Sequence, residues 1–317
     1  MAENSSESIA EKKRHSGAVD AFLRLVKEKP LGTVGLVITL LLLLTGIFAN
    51  FIAPYGMNAN DMQGILQPPS IQHWLGTDNL GRDLLSRVIF GARISVIVGL
   101  AATSLGTVLS TVIGVASGYF GGTFDLIVQR FVDAVICIPM LMLVMIVMSM
   151  VSPGMLQLII VLGIYGGINT SRVIRSAVIA IKENIYLRAA EAIGCSNTRI
   201  LTRHIIPNIM APLIVAFTTY LPGVILTEAS LSFLGYGIPP PAPSWGGMLS
   251  ATGLEYMYLS PWMVIWPGLA LTITVYGVNI FGDALRDILD PRLRGGIGRY
   301  GVKIRRAIVK QSQEITK

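Results

Sequence analysis

Residues 188–207 read RAAEAIGCSNTRILTRHIIP, a hydrophilic island between two long apolar spans. The chain's other hydrophilic stretches are mostly tails and connections. The pattern predicts a short helix carrying Ala189 and Ala190, a turn at Gly194, and a second short helix stopped by Pro207. Gly194 suits the left-handed backbone conformation that lets one helix end before the next begins, and Ser196 is placed to cap a helix starting at Asn197. Pro207 lacks an amide hydrogen and restricts Ile206, so the second helix is expected to end as the following span starts. A stiff elbow of this kind, with no catalytic residue in it, reads as a docking surface rather than an active site.

Around the island the chain is apolar. Its 317 residues are 52% hydrophobic and 14% charged, with a mean hydropathy of +0.64, whereas soluble domains carry about 25% charge. A membrane-spanning helix needs about 20 apolar residues. Six stretches qualify: 31–53, 94–118, 131–151, 155–173, 208–229 and 262–282. The predicted fold class is therefore all-α integral membrane. The third stretch contains Asp133 and Pro139 and the fourth is rich in glycine, so both rely on neighbouring helices.

Basic residues set the expected orientation, because Lys and Arg concentrate on cytoplasmic segments. Lys12, Lys13, Arg14, Arg24, Lys27 and Lys29 precede the first span. Arg172, Arg175, Lys182, Arg188, Arg199 and Arg203 surround the island, and nine more run from Arg286 to Lys317. The connection from Leu231 to Pro261 has none. The chain is thus expected in the cell membrane with both termini and the island on its cytoplasmic side, although Arg82, Arg87 and Arg93 fall in the first external loop. The net charge of +7 reads as a topological signal, with some contact to anionic lipid, rather than as nucleic-acid binding.

The expected organisation is an amino-terminal tail (1–30, disordered over 1–18), a first span with its external loop (31–93), a core (94–285) and a basic tail (286–317). In the external loop, WLGTDNLGRDLLSRVIFGARIS reads as a turn with Thr77 or Asp78 capping a helix that leads into the second span. Leu80, Leu84, Leu85 and Val88 form its buried face. This is either a lead-in helix at the membrane surface or a contact for an external partner. Tyr119 to Asp125 reads as a loop. FLGYGIPPPAPSWGG, residues 233–247, predicts a rigid excursion that offers Phe233, Tyr236 and Trp245 for packing or the interface.

Motifs for chemistry are absent. There is no phosphate-cradling loop, no H-E-x-x-H, and no paired-Cys zinc spacing. His15, His73 and His204 lie in three different regions, and Cys137 and Cys195 are expected at different depths. The chain implies no enzyme, no cofactor and no metal. Asp133 and Glu228 are the acids at membrane depth; each reads as a solvated helix end or packing contact, or alternatively as pore lining. Asn169, with Gly163, Gly166 and Gly167, reads as a close-packing group, or alternatively, like Asp133 and Glu228, as a pore or gate residue.

The island resembles the cytoplasmic loop of permease subunits of binding-protein-dependent ABC importers, whose pattern is E-A-A, three residues, Gly, nine residues, then I-x-L-P. Arg188, Ala189 and Ala190 occupy the triplet, Gly194 the glycine, and His204 to Pro207 the closing tetrad. Arg188 replaces the leading acid and His204 the isoleucine; Glu191 lies a turn further on. HWLGTDNLGRDLLSRVIFGARIS (His73–Ser95), EASLSFLGYGIPPPAPSWGGML (Glu228–Leu249) and LRDILDPRLR (Leu285–Arg294) resemble the dipeptide, oligopeptide and nickel group, specifically its second permease type.

The resemblance implies six spans with a coupling helix between the fourth and fifth. Its partners would be a second related permease, ATP-binding subunits at the cytoplasmic face and an external solute-binding protein. The coupling residues would be Arg188, Ala189, Ala190, Glu191, Gly194, Ser196 and Pro207. Peptides are favoured over metal, since no acid, histidine or cysteine cluster lies at pore depth. The competing readings are a membrane scaffold or receptor without transport and an ion-coupled secondary transporter.

Overall fold

The computed structural model describes residues 25–289; the expectations for 1–24 and 290–317 lie outside the described residues. In chain order the helices are α1 (Pro30–Ile47), the single turn α2 (Ala49–Ile52), α3 (Leu84–Phe120), α4 (Gly122–Ile136), α5 (Met140–Met150) and α6 (Met155–Lys182). The island follows as α7 (Ile185–Ala192), α8 (Asn197–Ile200), a π turn (Leu201–Ile205) and α9 (Ile206–Asn208). Then come α10 (Met210–Phe233), α11 (Trp245–Leu249), α12 (Ala251–Tyr256) and α13 (Trp262–Leu289).

Helices α1, α3, α6, α10 and α13 are each long and apolar enough to cross a membrane. The expected third span is instead a pair, α4 and α5, bent by 85°. Pro139 sits at the break in an extended conformation, as its ring and its restriction of Ile138 require. The eleven residues of α5 rise about 16 Å, roughly half of an apolar bilayer core. Parity decides how the pair counts. Lys29 Nζ lies 2.6 Å from Asp287 Oδ2, so the start of α1 and the end of α13 share one end of the bundle. An even number of crossings is required, and the bent pair supplies the sixth.

The most extensive helix contact is between α3 and α6. They run parallel and approach through glycine: a Cβ on Gly114 would sit 2.7 Å from Ser171 O, and one on Gly167 2.6 Å from Leu109 Cβ. Close backbone approach through small residues is the usual way to pack helices in lipid, where no hydrophobic force acts between them.

Several boundaries differ from expectation. Helix α3 begins at Leu84, inside the segment assigned to the external loop, and is capped by Asp83, whose carboxylate accepts from Ser86 N at 2.8 Å. Thr77 and Asp78 are occupied elsewhere. The Thr77 hydroxyl bonds Gly64 O and Gln67 N, while Asp78 Oδ1 accepts from Leu80 N and Arg82 N, closing a turn that delays the helix. Leu80 is accordingly 48% exposed while Leu84 is buried. The expected loop 119–125 shrinks to Gly121 alone between α3 and α4.

The three arginines of the first loop are structurally engaged. Arg82 and Arg87 face Asp78 at 2.6 and 3.5 Å. Arg93 donates to Gly46 O and Asn50 Oδ1, fastening α3 to the end of α1. At the same end Trp245 is buried and donates through Nε1 to Val88 O at 3.0 Å, whereas Phe233 stays exposed.

Candidate functional site

The island lies at the bundle end shared by Lys29 and Asp287, and its inner face is part of the core there. Leu187, Ile200, Ile205 and Ile209 are buried in one cluster with Val115 and Tyr119 of α3, Ile174 and Val178 of α6, and Leu213 of α10. Full burial of such side chains is worth about 1.5–3 kcal/mol each, so the island is a seated element rather than a hanging loop.

Helix α7 ends as its sequence predicts. Gly194 has φ +81°; its N–H bonds Glu191 O at 3.0 Å, and Cys195 N bonds Ala190 O at 3.1 Å. This paired closure, with glycine in the left-handed position, satisfies the last carbonyls of α7. Ser196 stands at the N-terminal cap of α8 in an extended conformation, but its side chain makes no capping bond; the expected cap is positional only.

Pro207 does not stop the helix. Ile206 N–H bonds Leu201 O, five residues back, in the π turn, and Ile209 N bonds Ile205 O at 3.1 Å. In a regular α-helix the Pro207 ring would collide with the carbonyl four residues earlier and leave it without a donor. The wider π turn directly before Pro207 accommodates it, so the chain continues with one irregular residue, Ile209, into α10.

The outer face of the island is open. A groove of about 750 Å³ is bordered by Tyr186, Ala189, Ala190, Ile193, Gly194, Ser196, Arg199 and His204, among others. Ile185 and Ile193 are 86% and 81% exposed, and Arg188, Ala189 and Glu191 are exposed too. Ala190 is buried and only borders the groove, so of the two small residues Ala189 is the exposed one. Sequence reasoning passed over Ile185 and Ile193; the signal was their apolar character, Ile193 within the hydrophilic island and Ile185 just before it.

It also missed the fastenings. The Tyr119 hydroxyl donates to Asn197 Oδ1 at 2.9 Å, and Lys182 Nζ donates to Tyr119 O at 2.6 Å. Arg175 of α6 grips Asp125 of α4 with both Nε, at 2.6 Å, and Nη2.

The candidate pore residues do not come together. Asp133 is half-exposed and pairs with Arg172, with Arg130 at 3.8 Å, joining α4 to α6. Asn169 is exposed on α6. Glu228 is not a solvated end: it is fully buried, with Oε1 accepting from Ser232 Oγ at 2.8 Å. Ser232 in turn accepts from Ile238 N at 3.2 Å, so Glu228 steadies the start of the proline-rich connection. Among the described residues no group of His, Cys, Asp and Glu is arranged to hold a metal.

Comparison with known proteins agrees with this architecture. Residues 110–295 match the family described as the inner membrane component of binding-protein-dependent transport systems, and residues 19–69 match the N-terminal membrane domain of oligopeptide transport permease C. The oligopeptide transport system permease protein OppC of Bacillus subtilis is 40% identical over 275 residues, covering 87% of this chain and 90% of that protein. The dipeptide transport system permease protein DppC of Alkalihalophilus pseudofirmus is 36% identical, covering 87% and 90%. A chain from the inward-facing MetNI methionine ABC transporter superposes with a TM-score of 0.54 at 18% identity, over 65% of this chain and 98% of that one, which shows a shared fold. A helical bundle with a seated hydrophilic elbow, matched over most of its length by these permeases, belongs to the family of binding-protein-dependent transport system inner membrane components, among its C-type permeases.

Proposed function

We propose that this permease subunit of an ABC importer receives the motion of a separate ATP-binding subunit through its island, and passes peptides along a path formed with a second, related permease. In this reading the island end faces the cytoplasm, both termini lie there, and an external binding protein delivers the solute to the opposite end. The chain carries no nucleotide-binding loop, so hydrolysis belongs to the partner. The peptide assignment rests on relatives whose names specify oligopeptide and dipeptide transport. Residues 31–93 are then a lead-in unit before the permease core, and 286–317 a cytoplasmic tail.

One observation carries the coupling role: the island has an exposed outer face at Ile185, Ala189 and Ile193, while its inner face shares a core with α3, α6 and α10. A surface of that build grips a partner on one side and moves three spans on the other. Ala189 and Gly194 permit close backbone approach, while Arg188 and Glu191 offer charge at the rim. The test is site-directed crosslinking of Ile193→Cys in membranes that contain the neighbouring subunits. Capture of the ATP-binding subunit is expected; a label that reaches position 193 only from the external medium would overturn the reading.

A further inference from the structure

At the end of the bundle opposite the island lies a cavity of about 390 Å³. Its walls are the first turn of α3, the turn at 78–82, Pro153 and the connection from Ser232 to Thr252, all from this one chain. That volume falls in the range of small-ligand pockets, roughly 300–1,000 Å³. Prolines 239 and 240 and Met263 give it apolar wall, and Ser244 and Thr252 add hydroxyl-bearing side chains.

Its charge balance is uneven. Two guanidinium groups, Arg82 and Arg87, border the cavity with one carboxylate, Asp78. Asp78 is already well supplied: Oδ1 accepts from Leu80 N and Arg82 N, and Oδ2 accepts from Arg82 Nε at 2.6 Å. Arg87 Nε reaches the same Oδ2 only at 3.5 Å, and Arg87 Nη1 has no hydrogen-bond partner among the described residues. The Arg87 side chain is nevertheless only 9% exposed. Among the described residues the charged groups near enough to act on it are Arg82 and Asp78. Asp83 is turned to His73 and Ser86, and Glu228 to Ser232.

A buried guanidinium is costly unless its donors are met. Its planar fork matches the paired oxygens of a carboxylate or a phosphate, and one unmatched guanidinium balances the single charge of a carboxylate rather than the double charge of a phosphate. We propose that this cavity binds a small solute by its carboxylate, with Arg87 as the anchor and the proline-lined wall against the rest of the molecule. The importer reading enters only in placing the cavity on the solute's route; the binding does not depend on it.

The experiment uses the complete transporter in lipid nanodiscs, without the external binding protein, and measures equilibrium binding of alanyl-alanine, its carboxy-terminal amide and acetate. The free acid is expected to bind, acetate to compete with it, and the amide to fail. Arg87→Met is expected to weaken binding about tenfold to a hundredfold, the loss of one charged hydrogen-bonding group, and Arg87→Lys by less. Because Arg87→Met also alters the Asp78 turn, Thr252→Trp provides a second arm: this exposed residue stands outside the ion pairs, and its larger ring is expected to block binding while the unfolding temperature holds. Equal binding of acid and amide, binding indifferent to both substitutions, or no binding up to tens of millimolar overturns the proposal. A complex that binds the acid through Arg87 yet fails to transport leaves the proposal standing and counts against the importer reading.

Discussion

The Tyr119 hydroxyl and the Asn197 amide oxygen, 2.9 Å apart, join the last turn of α3 to the first turn of α8. Lys182, at the end of α6, holds the Tyr119 carbonyl at 2.6 Å. The island is therefore fastened by polar bonds to α3 and by covalent continuity to α6 and α10. Displacement of the island bears on three spans at once.

Tyr119→Phe removes only the hydroxyl. One hydrogen bond of this type is worth about 0.5–1.5 kcal/mol, so the protein is expected to insert and fold. ATP consumed per solute imported by the reconstituted complex is expected to rise. Asn197→Ala is expected to act alike, and the double variant to add little, since both remove the same contact. Independent, additive effects in that cycle would show that the bond does not couple the two helices.

Gly194 separates strain from crowding. Its φ is +81°, yet among the described residues no atom lies within 4 Å of a Cβ built there. Gly194→Val is expected to cost about 1–2 kcal/mol from left-handed strain alone, and Gly194→Asn clearly less. Thermal unfolding of the two variants in detergent reads the difference. Transport by Gly194→Val in proteoliposomes is expected to fall while insertion is retained. Normal stability of the valine variant would mean that α7 ends in some other way.

The six-span count rests on the Lys29–Asp287 pair. Lys29→Cys and Asp287→Cys in one molecule are expected to crosslink with a short reagent and to be labelled from the same side of a sealed vesicle. Labelling from opposite sides would overturn the even number of crossings.

Apolar length made the spans legible, but their ends were hidden by tertiary partners. The helix leading into the second span was legible, but its start at Leu84 rather than just after Thr77 or Asp78 was not, because Thr77 is held by Gly64 and Gln67 and Asp78 by Leu80 and Arg82. Pro139 was visible as a residue that loosens its span, yet the span was read as continuous, since nothing local fixes an angle of 85°. In the island, Gly194 declared its conformation because a single backbone requirement selects it. Pro207 misled, since the rule that proline ends a helix assumes an α-helix on its amino side. The Tyr119–Asn197 bond spans 78 positions, a separation across which one sequence carries no pairing information.

The π turn at Leu201–Ile205 has a geometric consequence. Such a turn equals an α-helix with one residue inserted, and each residue of an α-helix advances the chain by about 100°. Removing a single residue there would let α8 and α10 join in unbroken phase, at the cost of swinging Asn197 and the helix before it a little more than a quarter-turn about the axis, away from Tyr119. The surplus residue thus sets the compass bearing of the elbow.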